Sequence, residues 1–251
     1  MRTTAILACA AVAASAWVTN VFAASGAPQP RKENVTFAKG ASSATIKGAM
    51  KGDADVDYVV RAAAGQTLAV RLDGSNSQNE FNVLPPGSKD VAMYVSGDNG
   101  ERDYAAVLPA DGDYTIRVYM NRAAARRHEA SKYTLAVGVS GKPLPPLSVA
   151  KDAKVPGTAY HATAKLNCVP PFTSAATQCD AGVIRRGYDG TATLELRGTN
   201  DLMRRILFVQ GKPIASDAAD AMTYSRQGDL TVVKFGTDER YEVPDAFLAG
   251  G

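Results

Sequence analysis

Short runs of alternating apolar and polar residues, separated by turn residues, fill most of this chain. YTIRVYM, residues 114–120, and KYTLAVGV, residues 132–139, are two of the clearest runs. Strict alternation over several residues is typical of strands with one face buried and the other in water. Many such runs at short spacing predict an antiparallel β-sandwich over residues 35–140.

A second strand-rich region follows. Residues 141–157 are rich in proline, which predicts an extended linker. Alternating runs such as ATLELRG, residues 192–198, then resume, and Asp189-Gly190 is a hairpin signal. We therefore expect an all-β protein whose second, smaller β-rich domain spans residues 158–251.

The beginning of the chain has the pattern of an export signal. A positive residue precedes an apolar stretch, and small residues then favour cleavage after Ala23, giving a signal peptide over residues 1–23. A lipoprotein reading based on Cys9 is disfavoured because no apolar region precedes that cysteine. Residues 24–34 read as a flexible leader. No later stretch is apolar enough to span a bilayer, so we expect a periplasmic or secreted protein.

Two cysteines, Cys168 and Cys179, lie beyond the expected signal peptide. Cysteines of exported proteins usually pair, which predicts one structural disulfide. A zinc site would need further ligands, and His128 and His161 are the only histidines of the chain. No cofactor motif is present, and we expect none to be bound.

The charge balance is close to neutral. The chain has 28 basic and 25 acidic residues, and removal of Arg2 with the signal leaves 27 against 25, a net charge of +2. A nucleic-acid-binding protein needs a clustered basic face, which this composition does not indicate.

The acidic stretch GDADVDY, residues 52–58, resembles the first half of a calcium loop. The EF-hand pattern then requires glycine where Tyr58 stands and glutamate where Ala64 stands. Because both are missing, we favour a polar turn that leads into a strand, with Tyr58 at the edge of the core.

The run NRAAARRHEAS interrupts two good strands and is too long for a tight hairpin turn. Asn121 can cap a short helix, and the alanines favour a helical turn. Arg122 and Arg126 then lie four residues apart on one helical face, where two guanidinium groups repel each other unless an anion faces them. The alternative is a solvated loop in which Arg126 or Arg127 pairs with Glu129.

Three segments in this order, VTFAKGASSATIKGAMKGDADVDYVVRAAAGQ, FNVLPPGS and YTIRVYMNRAAARRHEASKYTLAV, resemble the periplasmic inhibitors of g-type lysozyme. LPADGDYTIRVY also resembles the pre-peptidase C-terminal type of β-sandwich. The resemblance covers residues 35–140 and implies a non-enzymatic protein whose partner is a g-type lysozyme. On the matching positions it implies target-binding residues, which are Tyr58, Arg122, Arg126, Ser42 and Ser43.

Other functions remain open at the level of sequence. The main alternative is a non-enzymatic cell-envelope protein that reuses the sandwich to bind a glycan or another protein. A hydrolase is a third reading, but no nucleophile–base set is recognisable. Residues 158–251 resemble a module appended to various exported bacterial proteins, and this resemblance implies no activity.

The expected disulfide can be tested by mass. We predict that the intact exported protein gains two hydrogens on reduction, because Cys168 and Cys179 pair in an oxidising compartment. Alkylation before reduction is the control, and labelling of two free thiols in the untreated protein would show that the disulfide is absent.

Overall fold

The computed structural model describes residues 30–250. The predicted signal peptide and residues 24–29 of the predicted leader lie outside the described residues. Residues 31–34 form a strand, so the expectation of a flexible leader is wrong for this segment. Their backbone pairs in parallel with residues 56–59, which supplies the hydrogen bonds that an extended leader would lack.

Nine strands and two short helices are found within residues 30–140. In chain order they are β1 Arg31–Asn34, β2 Ser43–Lys51, β3 Val56–Ala62, β4 Thr67–Gly74, β5 Asn79–Leu84, β6 Tyr94–Val95, α1 Ser96–Asn99, β7 Asp103–Val107, β8 Gly112–Met120, α2 Arg122–Arg126 and β9 Ala130–Ser140. They form a five-stranded sheet in the order β1-β3-β8-β5-β6 and a four-stranded sheet in the order β2-β9-β4-β7. The predicted all-β sandwich is confirmed.

The core of the sandwich follows from the alternation that the sequence shows. Tyr114, Ile116 and Val118 of β8 are fully buried, as one face of the YTIRVYM run predicts. Leu135 and Val137 of β9 meet them from the opposite sheet. Strands from both sheets therefore contribute alternate residues to one apolar layer.

Eight strands and one short helix follow within residues 158–250. They are β10 Ala162–Val169, β11 Thr177–Arg185, β12 Ala192–Arg197, β13 Met203–Val209, β14 Lys212–Ser216, β15 Met222–Gln227, β16 Leu230–Phe235, β17 Glu239–Pro244 and α3 Asp245–Ala249. One antiparallel sheet contains all eight in the order β14-β13-β12-β11-β10-β17-β16-β15. Its two edge strands contact each other, so the sheet curls into a barrel around its own core. Cys168 and Cys179 form the expected disulfide between β10 and β11.

Residues 141–157 connect the two parts without helix or strand. Backbone hydrogen bonds connect this segment to the sandwich and to the C-terminal part. The backbone N–H of Leu144 donates to the Ala64 carbonyl at 2.9 Å, and that of Leu147 donates to the Arg185 carbonyl at 2.8 Å. We propose that the chain divides into two domains here, with a linker that is extended but held in place.

The junction between the two parts centres on a buried arginine. The Arg186 side chain is 0% exposed, and its guanidinium donates to the Asp111 carboxylate at 3.0 Å. The same group donates to the Leu144 carbonyl and to the Thr193 hydroxyl, and Thr193 in turn donates to the Pro109 carbonyl at 2.7 Å. Because its donors are satisfied from both sides, this charge can be buried only when the two parts are in this arrangement.

The C-terminal part therefore occupies one end of the sandwich, which we call the junction end. It comprises turns 63–66, 85–93 and 108–111. The opposite end, which we call the α2 end, comprises turns 52–55 and 75–78, the connection 96–102 and the loop 121–129. Strand pairing supports this division because Lys51 of β2 is opposite Ala130 and Ser43 is opposite Gly138.

We predict that Asp111→Ala lowers the free energy of unfolding by about 2–4 kcal/mol, because the buried Arg186 guanidinium loses its carboxylate partner. Denaturant unfolding followed by fluorescence measures the change. Asp113→Ala is the matched control, since Asp113 pairs with Arg61 on the exposed surface at 3.1 Å. The control should cost no more than about 0.5 kcal/mol. Equal costs for the two variants would contradict the structural role of Arg186.

Candidate functional site

Helix α2 interrupts the two strands at the α2 end because its first residue is capped. The Asn121 side-chain carbonyl accepts a hydrogen bond from the Ala124 backbone N–H at 3.0 Å, as the sequence predicts. The helix ends at Arg126, and the left-handed backbone of His128 (φ 53°) turns the chain into β9. Cap and turn together hold the arginine-rich run in one short helical turn.

A buried alanine determines which face of α2 is exposed. Ala124 is fully buried in the sandwich core, while Arg122 and Arg126 are exposed. On a helix, residues four apart share one face, so the two guanidinium groups project together. The sequence alone did not show that Ala124 would anchor the helix, because an alanine fits a buried and an exposed position equally well.

Side chains from a neighbouring turn hold the loop in place. Asn121 donates to the Gln78 side chain, and its backbone N–H donates to the Gln78 carbonyl at 2.9 Å. The Asn76 side-chain amide donates to the Glu129 carboxylate at 2.8 Å, and its carbonyl oxygen accepts from the Gln78 backbone N–H at 2.9 Å. Sequence reasoning missed Asn76 and Gln78, which lie more than forty residues before α2 and show no local pattern.

The arginines of the loop differ in their partners. Arg127 donates to Glu129 at 2.6 Å, which matches the solvated alternative for this residue. The hydrogen bond from Asn76, and then the Arg127 guanidinium, lower the pKa of Glu129, so this group is a carboxylate. Arg122 and Arg126 have no side-chain partner among residues 30–250. The loop thus presents two unpaired guanidinium groups, which suit a carboxylate-bearing partner.

Ser42 and Ser43 lie at the other end of the molecule. Both are exposed, and Ser43 starts β2 opposite Gly138, whereas Lys51 ends β2 beside the α2 loop. Nine strand residues separate the two points by roughly 25 Å. The structure therefore does not bring these serines together with Arg122 and Arg126, although all four stand in the motifs of the resemblance.

Tyr58 does not lie on the surface. Its side chain is only 1% exposed, and its hydroxyl forms a 2.8 Å hydrogen bond with the Tyr133 hydroxyl inside the sandwich. With so little surface exposed, Tyr58 packs in the core of this structure, which differs from the surface position that a target contact needs. Tyrosine suits a buried hydrogen bond as well as an interface, so its residue type alone does not distinguish the two positions.

The tyrosine pair explains Gly48, a glycine of the first segment that carries the resemblance. A Cβ atom at Gly48 would lie 2.3 Å from the Tyr133 ring. Gly48 is paired with Tyr133 across β2 and β9, and the ring passes directly over it. The absence of a side chain at position 48 therefore allows the Tyr133 hydroxyl to reach Tyr58.

The carboxylates of the acidic segment 53–57 have different surroundings. Asp57 binds the Arg117 guanidinium at 2.7 Å, and burial raises the pKa of Asp55. No group of three or more His, Cys, Asp or Glu side chains within residues 30–250 could hold a metal ion. The turn leads into β3, as the polar-turn reading predicts.

The C-terminal part brings together charges that are scattered in sequence. Asp217 is buried between Arg204 and Arg205 at 3.2 and 3.1 Å, and Arg204 also binds Glu239 at 2.6 Å. Each carboxylate is neutralised by a guanidinium, which indicates a structural network.

Within the described residues, no helix is long and apolar enough to cross a membrane.

Comparison with known proteins identifies the family of the chain. The chain is 33% identical over 109 residues to the inhibitor of g-type lysozyme from Escherichia coli strain K12, covering 42% of this chain and 79% of that relative. This chain belongs to the family of g-type lysozyme inhibitors. The members of this family that it resembles are inhibitors and not enzymes. No protein-family model matches the chain.

Two solved structures of this family are similar to the chain. The crystal structure of Aeromonas hydrophila PliG, a periplasmic inhibitor of g-type lysozyme, is 37% identical, with a TM-score of 0.42, over 45% of this chain and 98% of that chain. The structure of Salmonella Typhimurium PliG, also described as periplasmic, is 31% identical, with a TM-score of 0.36, over 45% of this chain and 100% of that chain. The remaining part of this chain lies outside both matches.

We predict that Gly48→Ala lowers the free energy of unfolding by about 1–3 kcal/mol, because the added methyl group displaces the Tyr133 ring and breaks its bond to Tyr58. Thermal and denaturant unfolding measure the loss. The control is Gly138→Ala on the paired strand, where an added Cβ would meet its nearest neighbours at an ordinary 3.7 Å. This control should be neutral or slightly stabilising, since it reduces the entropy of the unfolded chain. A neutral Gly48→Ala would refute the packing argument.

Proposed function

We propose that this chain is a periplasmic inhibitor of g-type lysozyme and that the α2 loop blocks the glycosidase cleft of its target. The observation that carries the proposal is the pair Arg122 and Arg126, exposed and unpaired within residues 30–250 on a capped helical turn. Membership of the inhibitor family supports the activity, and the description of the similar structures as periplasmic supports the location.

The chemistry of the target fits this pair. A lysozyme cleft contains at least one catalytic carboxyl group and is shaped to bind a sugar polymer. A guanidinium can bind a carboxylate through two parallel hydrogen bonds, and two guanidinium groups on one helical face can fill a narrow cleft. The inhibitor needs no reactive group of its own, because occupying the cleft excludes the substrate.

The surroundings of α2 support a rigid binding element. The Asn121 cap and the bonds from Gln78 and Asn76 order the loop before any partner arrives. A preorganised loop loses little conformational entropy on binding, which favours tight association. The proposal does not include Tyr58, which is buried, or Ser42 and Ser43, which lie at the junction end.

We predict that Arg122→Ala and Arg126→Ala each weaken inhibition of a g-type lysozyme by about 2–4 kcal/mol, because a carboxylate in the cleft loses its charged partner. Inhibition constants from a cell-wall clearing assay measure the effect. Thermal unfolding of each variant should change by no more than about 0.5 kcal/mol, since both side chains are exposed.

Arg127→Ala is the matched control because Arg127 already pairs with Glu129 within the chain. This variant should inhibit nearly as well as the parent. Parent-like inhibition by both the Arg122 and the Arg126 variants would reject α2 as the blocking element. A parent protein that inhibits no g-type lysozyme would reject the proposed activity and favour an envelope-binding protein built on the same sandwich.

A further inference from the structure

Three exposed lysines lie together on the outer face of the four-stranded sheet. Lys132 of β9 is directly opposite Ala49 of β2, and Lys47 and Lys51 follow two residues to either side of Ala49. Residues at this spacing point to the same face of a sheet, and diagonal neighbours across two strands are about 7–8 Å apart. We call Lys47, Lys51 and Lys132 the lysine face.

The lysine face is not neutralised from within the chain. None of its three residues has an ion-pair partner among residues 30–250. The acidic groups on the same side of the sheet are Asp73 and Asp103, and both bind Arg71, at 3.1 and 3.4 Å. Lys47, Lys51, Lys132 and Arg71 outnumber these two carboxylates by two charges, so a net positive charge on this side remains available to a partner.

A neighbouring groove gives this charge a concave setting. Lys47 and Lys132 line an open groove of about 670 Å³, together with Arg31 and Glu33 of β1, Asp73 of β4 and Tyr133. Glu33 is bound by Arg31 at 2.9 Å, and Asp73 by Arg71 at 3.1 Å. The two lysines are thus the unpaired charges among the described residues that line the groove.

Protection of a sheet edge does not account for all three lysines. Lysine on an edge strand discourages pairing with another chain, which could explain Lys47 and Lys51 on the edge strand β2. Lys132 is on β9, which is paired on both sides by β2 and β4 and has no edge to protect. A further role is needed for at least this residue.

The lysine face continues directly into the α2 end. Lys51 is opposite Ala130, the first residue after the α2 loop, and the Gly52 N–H donates to the Glu129 carbonyl at 2.9 Å. Of the acidic residues that follow, Asp57 binds Arg117 in the five-stranded sheet, and Asp53 is exposed beside Lys51. The lysine face therefore borders the loop that carries Arg122 and Arg126.

We propose that the lysine face is a second contact surface for the target and takes carboxylate side chains that border the target's cleft. This inference rests on the proposed inhibitor function and extends it beyond α2. Complementary charges around a binding site accelerate encounter and orient the partner, more than they add to the final affinity. Arg122 and Arg126 enter the cleft in this arrangement, and the lysines guide the approach.

The test compares two double variants of the full chain. Lys47→Gln/Lys132→Gln removes two charges from the lysine face and leaves the α2 loop untouched. Lys212→Gln/Lys234→Gln removes the same charge from exposed strand positions of the C-terminal part that have no ion pair within residues 30–250. Association with a g-type lysozyme is followed by stopped-flow fluorescence from low to high salt, and thermal unfolding of each variant verifies that it is folded.

We expect the lysine-face variant to associate roughly tenfold more slowly than the parent at low salt, with the control variant close to the parent. The difference should vanish near 1 M salt, where the screening length falls to about 3 Å. Equal slowing of both variants would overturn the inference, because net charge alone would then explain the effect. A lysine-face variant that associates normally with lysozyme but loses binding to purified peptidoglycan would also overturn it. If the parent itself fails to inhibit, the proposed function fails first, so the two failures are distinguishable.

Discussion

The arrangement of this molecule depends on the burial of Arg186. A guanidinium group withdrawn from water is tolerated only if its donors find acceptors. Asp111 and the hydroxyl of Thr193 supply acceptors from the two parts of the chain, and the Leu144 carbonyl supplies one from the segment between them. Because these groups converge only when the barrel-like part sits on the junction end of the sandwich, the same contact leaves the α2 end open.

The open end has the properties of a binding surface that is ordered in advance. Its loop is short, capped by Asn121 and bonded to a neighbouring turn through Gln78 and Asn76. Ala124 anchors the helix in the core, so the arginines must face outward. A rigid sandwich that displays charge on a well-ordered loop is suited to inhibition. Inhibition needs complementarity of shape and charge, and it needs no reactive group.

The match to the family covers 42% of the chain, and the sequence resemblance lies in residues 35–140, which leaves the C-terminal part as an addition. Its core contains a barrel-like sheet, a disulfide and a buried network around Asp217 and Arg204. These features stabilise a fold and do not resemble a catalytic set, because each buried carboxylate is neutralised by an arginine. Its contact with the sandwich lies away from α2 and leaves the α2 loop uncovered.

The sequence by itself determined the all-β class, the burial pattern of strands such as β8, the disulfide and the cap at Asn121, because alternation, compartment chemistry and capping act between residues that are near in the chain. The tertiary structure alone decided that Tyr58 is buried against Tyr133 and that Ser42 and Ser43 lie far from Arg122 and Arg126. It also decided that Asp111 meets Arg186. These outcomes depend on which strands pair and in what register, and pairing between distant segments is set by the packing of the whole core, which local sequence does not record.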